Sequence, residues 1–202
     1  MMPIPAKALL EIDFLRKAAK EYGNEPYCFG LGFIQLKLSP TTRIHFWHEN
    51  IPHVEREEIH NHRYNFTSHV LAGKLAFSLY DVAGYANIRG DVPEWERFDT
   101  KCEPGKPNET MPVTTPVHVH HMGDYRLTAG SIYKLPHTAF HTTEETEFAI
   151  TFLERDLSFV KAYASVVKKH GTVSACPFAN PGTPEEAWEL INQALNWAKL
   201  GC

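Results

Sequence analysis

From about residue 28 to residue 165 the apolar residues of this chain recur at every second position, in short runs. The runs cover 33–38, 43–47, 69–71, 75–80, 125–127, 131–135 and 148–153. A period of two puts alternate side chains on opposite faces of an extended strand, a pattern that an α-helix cannot gather on one side. Gly73, Gly84, Gly123-Asp124 and Gly130 punctuate the runs as turn residues. Many short strands at regular spacing predict a sandwich or a barrel.

The period changes at both ends. Leu10, Phe14, Leu15, Ala18, Ala19 and Tyr22 recur at spacings of three and four, and Gly23 follows as a stop, so a helix is expected over 5–22. Thr183-Pro184-Glu185-Glu186 has the form of a capping box with proline at the first helical position. Behind it Ala187, Leu190, Ile191, Ala194, Leu195 and Ala198 form one stripe, which predicts a helix over 183–200. Both stripes read as seams facing the core, with a partner-docking face as the alternative. The stretch 84–116 is rich in proline, glycine and charge and reads as an insertion at one rim. The expectation is one domain over 1–202, its β-barrel spanning 28–165.

Composition excludes several classes. With 43% hydrophobic and 22% charged residues the chain can bury a core. Lys and Arg number 20 against 24 Asp and Glu, so no basic excess exists to bind nucleic acid. The apolar runs fall short of the ~18 residues that a membrane helix needs. The N-terminal stretch lacks the pattern of a signal peptide, and a cytoplasmic protein is expected. Cys28, Cys102, Cys176 and Cys202 form no CxxC and read as free thiols.

The 12 histidines are the informative residues. In Glu58-Ile59-His60-Asn61-His62, alternation along a strand lets His60 and His62 offer two imidazoles to one ion. The signal is weak alone: at this histidine content about one HxH arises by chance, and His118-Val119-His120 is another. More follows. Gly73 stands eleven residues beyond His62, where a hairpin is expected to end the strand. Later comes Gly130-Ser131-Ile132-Tyr133-Lys134-Leu135-Pro136, then His141.

These motifs resemble those of the cupin superfamily. The first cupin motif is matched by His60, His62 and Gly73, and the second by Gly130, Pro136 and His141, over residues 40–155. The resemblance implies an all-β jelly-roll barrel, here with flanking N- and C-terminal α-helices, and the metal ligands His60, His62 and His141. Two positions depart. Thr138 replaces the usual glycine, and the usual glutamate ligand falls on Phe66 or Thr67. Three neutral imidazoles leave a divalent ion its full charge and about three open positions, which favours an anionic or chelating substrate beside O2. Three-His iron is used by dioxygenases of this superfamily, and the string from Trp47 through His60, His62 and Ser68 to Gly73 is most similar to the cysteine dioxygenase group. That group's Ser-His-Tyr triad is missing: residues 149–155 read AITFLER. No cysteine closely follows His62 for a thioether.

The resemblance therefore implies a non-haem Fe(II) dioxygenase, with Ni, Zn, Mn or Cu as other metals. A metal-dependent isomerase or epimerase, or a non-catalytic binding module, stands as the alternative. Arg43 is a candidate for a substrate carboxylate or phosphate, or for a rim ion pair with Glu55, Glu57 or Glu58. Tyr133 is a candidate hydrogen-bond donor to substrate or bound oxygen, or a packing residue. His60 and His62 are also compatible with exposed strand histidines, and His141 with a core histidine. His69 is a candidate fourth ligand or a donor to a ligand. His118, His120 and His121 read as a solvated face or an independent site. His45, His48 and His53 are expected at the pocket mouth or surface. Trp47, Phe66, Phe140, Phe148 and Phe152 are expected to line an apolar barrel. An exposed edge strand needs cover, from the N-terminal helix or from a second copy in a homodimer, and the sequence leaves the two open.

Overall fold

The structure is a computed structural model that describes residues 7–53, 58–84, 94–101, 109–110, 114–144, 146–170 and 182–200. A 3-10 turn, Ala8–Leu10, precedes helix α1, Ile12–Glu21. Glu11 between them is extended (φ −111°, ψ 121°), so the helix expected over 5–22 is interrupted there. The apolar face continues across the break, because Leu9, Leu15 and Ala19 enter the same cluster. Helix α1 closes as a Schellman motif: Gly23, at φ +63°, donates to the Lys20 carbonyl at 3.1 Å, and Asn24 donates to that of Ala19 at 2.9 Å. Helix α2, Pro184–Lys199, begins with the expected capping box. The Glu186 amide donates to Thr183 Oγ1 (3.2 Å), and the Thr183 amide donates to the Glu186 carboxylate (2.8 Å). Among the described residues no helix is long and apolar enough to cross a membrane.

Between the helices lie antiparallel strands: β1 (Tyr27–Cys28), β2 (Phe33–Lys37), β3 (Thr42–His48), β4 (Ile59–His60), β5 (Tyr64–Gly84), β6 (Trp95–Lys101), β7 (Glu109–Thr110), β8 (Thr115–Thr128), β9 (Ile132–Leu135), β10 (Phe140–Thr143), β11 (Phe148–Val160) and β12 (Ala164–Lys169). They form two sheets that share the long strand β5. The first runs β1-β2-β3-β11-β5-β9. In the second, pairing passes from β5 through β10, β4, β12, β6 and β8 back to β5, a closed circuit, with β7 beside β6. The fold is mostly β with a helix at each end, the class that the cupin resemblance implies.

Gly73 does not end a strand. It lies inside β5 at φ +71°, next to a bulge at which the register with β11 shifts between Ile150 and Thr151. The site demands glycine, because a Cβ there would sit 2.2 Å from the Phe148 carbonyl oxygen. Gly123 likewise lies within β8, opposite Leu79, and Gly130 (φ +88°) makes the turn from β8 to β9. The stretch 84–116 is not wholly an insertion. Trp95–Lys101 forms β6, paired with both β8 and β12, and β8 starts at Thr115. Proline- and glycine-rich flanks hide the alternation that buries Phe98 and Thr100. Residues 85–93, 102–108 and 111–113 lie outside the described residues.

Three apolar layers result. On the outer face of the first sheet, Ile34, Leu36, Ile44, Phe46, Phe148, Ile150 and Phe152 pack beneath both helices, against Leu15, Trp188, Ile191 and Leu195. On its inner face, Trp47, Val70, Ala149, Phe66 and Leu153 meet Leu75, Phe77 and Leu79 of the second sheet's part of β5. Within the closed circuit, Ile59, Val117, Phe140 and Val167 pack with Tyr80, Val82 and Trp95. Phe148 and Phe152 thus serve the helix-covered face and Phe140 the circuit, so only Trp47 and Phe66 of the expected five line the space between the sheets. The inward residues of β11 are Ala149, Thr151 and Leu153, one position out of phase with its phenylalanines.

Candidate metal centre

Strand pairing brings the three histidines together. His60 of β4 lies directly opposite His141 of β10, so their side chains leave the sheet on one face. His62 stands two residues beyond His60, on the same side. Ring centroids are 4.5 Å apart for His60–His141 and 5.0 Å for both His60–His62 and His62–His141. One nitrogen from each ring lies within 4.8 Å of the others, and this is the one such histidine group among the described residues. His141 lies opposite Leu79 of β5, and His62 meets the edge of Phe66 at 4.9 Å, so the group faces the space between the sheets.

The donors suit a divalent ion. His60 Nδ1 donates to the Glu58 carbonyl at 3.0 Å, which leaves Nε2 in the unprotonated, ligating form. His141 Nδ1 is buried without a hydrogen-bond partner. Burial first, and then the neighbouring imidazoles, hold the pKa values of His62 and His141 well below the usual imidazole range. Burial thus favours the neutral, ligating form of the His62 and His141 rings. At one of the two positions of the absent glutamate, the ring of Phe66 stands perpendicular to that of His62, with centroids 4.9 Å apart. The other departure, Thr138, sits in a turn closed by the Ala139 amide on the Pro136 carbonyl at 2.9 Å. No residue but glycine has positive φ among the described residues, so that turn does not require glycine.

Arg43 alternates with His45 and Trp47 along β3, and all three face inward. Its Nη1 donates to Gln35 Oε1 at 2.5 Å, and His45 Nε2 donates to the same oxygen at 3.3 Å. The guanidinium also lies over Tyr64, 5.4 Å from the ring centre. Burial lowers its pKa, with Tyr64 opposing and Arg155 adding to the effect. Burial, aided by Arg43, pushes His45 down to about 3. Of the candidate rim partners Glu55, Glu57 and Glu58, the first two lie outside the described residues. Tyr133 also points inward, opposite Ser68, stacked on Phe77 at 5.2 Å and edge-on to Phe66 at 6.0 Å.

The remaining histidines separate by strand phase. His69 points to the outer face and pairs with Glu154 at 3.3 Å, so it is not a fourth ligand. The phase that turns Ser68 and Val70 inward turns His69 away. His45 and His48 are not surface residues. His45 lies on the inner face, and His48 is buried against Trp197 of α2 at 4.6 Å, because β3 is covered on both sides. His48 and His53 both line a cavity of about 190 Å³ with Phe33, Trp47, Glu144 and Glu147, at the opposite end of β3 from Arg43. His118, His120 and His121 lie exposed on β8, where His121 meets Asp124 at 2.5 Å. Sequence reasoning did not single out Gln35, which contacts both Arg43 and His45. The polar interruption of Phe33-Ile34-Gln35-Leu36 was the available signal for it.

No protein-family model and no curated protein matches the chain. Among solved structures it is similar to hydroquinone 1,2-dioxygenase PnpCD in complex with Cd2+ and 4-hydroxybenzonitrile, at 12% identity and TM-score 0.35, over 77% of each chain. It is also similar to hydroquinone 1,2-dioxygenase from Sphingomonas sp. TTNP3 with 4-hydroxybenzoate bound, at 13% identity and TM-score 0.29, over 60% of this chain and 64% of that one. Likenesses this loose establish neither fold nor chemistry, so the function proposed below rests on this chain's own side chains.

Proposed function

We propose that the chain is a mononuclear-metal cupin enzyme, a non-haem Fe(II) dioxygenase that acts on a small anionic or chelating substrate. The observation that carries this is the cluster of His60, His62 and His141, with Phe66 where a carboxylate ligand would stand. Bound to three neutral imidazoles, iron(II) would keep its full charge and supply the redox chemistry that O2 requires.

The chain's own residues do the rest. The three imidazoles hold the ligand geometry, with the Glu58 carbonyl orienting His60. Arg43 holds the negative end of the substrate, and Tyr133 hydrogen-bonds its reacting part. Trp47, Phe66, Phe77 and Leu153 exclude water from the space between the sheets. An isomerase or epimerase would use the metal as a Lewis acid only and would consume no oxygen.

Elemental analysis of the protein as purified, beside His60→Ala and His141→Ala, tests the site. About one metal per chain in the wild type and a loss in both variants are expected. Unchanged metal content in both variants refutes the site. Oxygen uptake by iron-loaded protein with candidate substrates then separates a dioxygenase from an isomerase.

A further inference from the structure

His62 is the one histidine of the cluster that no strand holds. His60 closes β4, paired with His141 on one side and Val166 on the other, and His141 lies within β10. His62 stands in the short link from β4 to β5, where the chain passes from one sheet into the other. Its neighbours carry the two ladders up to it. Asn61 faces Ser165, one step beyond the His60–Val166 pair, and Arg63 faces Lys161, one step beyond the Tyr64–Val160 pair.

Each neighbour exchanges two hydrogen bonds with its partner, and in each pair one bond comes from a side chain. The Asn61 amide donates to the Ser165 carbonyl at 3.0 Å, while the Ser165 amide donates to Asn61 Oδ1 at 2.7 Å. The Lys161 amide donates to the Arg63 carbonyl at 2.7 Å, while Arg63 Nε donates to the Lys161 carbonyl at 2.8 Å. In a regular antiparallel pair all four bonds would be backbone to backbone. Here Asn61 Oδ1 stands in for the Asn61 carbonyl, and Arg63 Nε–H stands in for the Arg63 amide.

The two backbone groups replaced in this way belong to the two peptide units that flank His62. Both units are released from pairing with Ser165 and Lys161, so the backbone at His62 is free to turn its ring toward His60 and His141, while the chain on either side stays bound. The anchors are firm. Asn61 is 3% exposed, so water does not compete for its oxygen. Ser165 Oγ donates to Asp99 Oδ1 at 2.7 Å, which ties that pair to β6. Tyr64 stacks on the His62 ring, 5.8 Å between centres and 27° between planes.

We propose that Asn61 and Arg63 are positioning residues: their side-chain bonds to Ser165 and Lys161 set the His62 imidazole against the His60–His141 pair and so govern how tightly the three rings close on an ion. This rests on the metal centre proposed above and adds to it two residues that are not ligands.

Co(II) is titrated into metal-free wild type, Asn61→Leu, Asn61→Asp and Arg63→Met. The readouts are the Kd and the visible absorption of the bound ion, which reports coordination geometry. Leucine keeps the volume of asparagine and removes the acceptor, whereas aspartate keeps the acceptor. Arg63→Met removes one bond and leaves the backbone bond from Lys161, so its fold is retained, and melting curves check every variant. Thr183→Ala, which weakens a helix cap away from the centre, is the control for lost stability alone. Removing a residue that orients a ligand costs about 10–100-fold in metal affinity. Asn61→Leu and Arg63→Met are expected to lose that much and to shift the absorption band, and Asn61→Asp to recover wild-type affinity. Thr183→Ala is expected to lower Tm and leave Kd and band unchanged. A wild-type Kd and band in Arg63→Met, or in folded Asn61→Leu, overturns the positioning role and leaves the metal centre standing. Failure of wild type itself to bind Co(II) overturns the centre and the role with it.

Discussion

Replacing His45 with glutamine removes one titrating group from the interior and leaves an amide that can still donate to Gln35. In the folded chain His45 protonates only near pH 3, because its ring is desolvated and faces Arg43. In the unfolded chain it protonates near the ordinary value of about 6.5. Between these limits the unfolded state holds more protons than the folded one, so stability rises with pH and is lost as pH falls. The slope is at most about 1.36 kcal/mol per pH unit. From pH 7 to pH 5 the linkage amounts to about 2 kcal/mol, an upper figure because the residue keeps partial solvent contact. Wild type should therefore lose up to ~2 kcal/mol more than His45→Gln over that interval. His48 and His141 titrate in both proteins and cancel, and His62 does so apart from the smallest contribution to its lowering, which comes from His45. Urea denaturation of metal-free protein at pH 7, 6 and 5 measures the difference directly. Parallel stability profiles for the two proteins would refute a buried, neutral His45.

Other perturbations test the fold and the centre. Gly73→Ala forces a Cβ to 2.2 Å from the Phe148 carbonyl at a φ of +71°. The left-handed backbone alone costs about 1–2 kcal/mol, and the clash adds to it, so a fall in Tm of more than ~4 °C is expected by calorimetry. Thr183→Ala removes the acceptor for the Glu186 amide and should cost about 1 kcal/mol in urea denaturation. A divalent metal at a hundredfold excess over its Kd should stabilise wild type by about 2.7 kcal/mol, read as a rise in Tm, and should leave His62→Ala unmoved. Glu154→Ala, which removes the partner of His69, should leave metal content unchanged by elemental analysis, since His69 faces away from the centre.

Much of the architecture was legible in the chain because it follows from local rules. Period-two alternation marked strands β2, β3 and β9, and the Thr183–Glu186 box and Gly23 marked helix ends. The spacing of His60 and His62 put both on one side of a strand. Other features depended on register, which no local window contains. Whether Gly73 ends a strand or bends one is decided by the approach of Phe148 from β11. Whether Phe148 or Ala149 faces inward is decided by which face the two helices cover. Long-range pairing between strands roughly eighty residues apart set His141 opposite His60. The alternation of Arg43, His45 and Trp47 showed that the three share a face, and only the packing of two sheets identified that face as the interior. The sequence by itself thus determined the periods, the caps and the placing of His60 and His62 on one side, because these depend on backbone geometry over a few residues. The tertiary structure decided which face is buried and which histidines meet, because one residue of strand phase exchanges the core for the solvent.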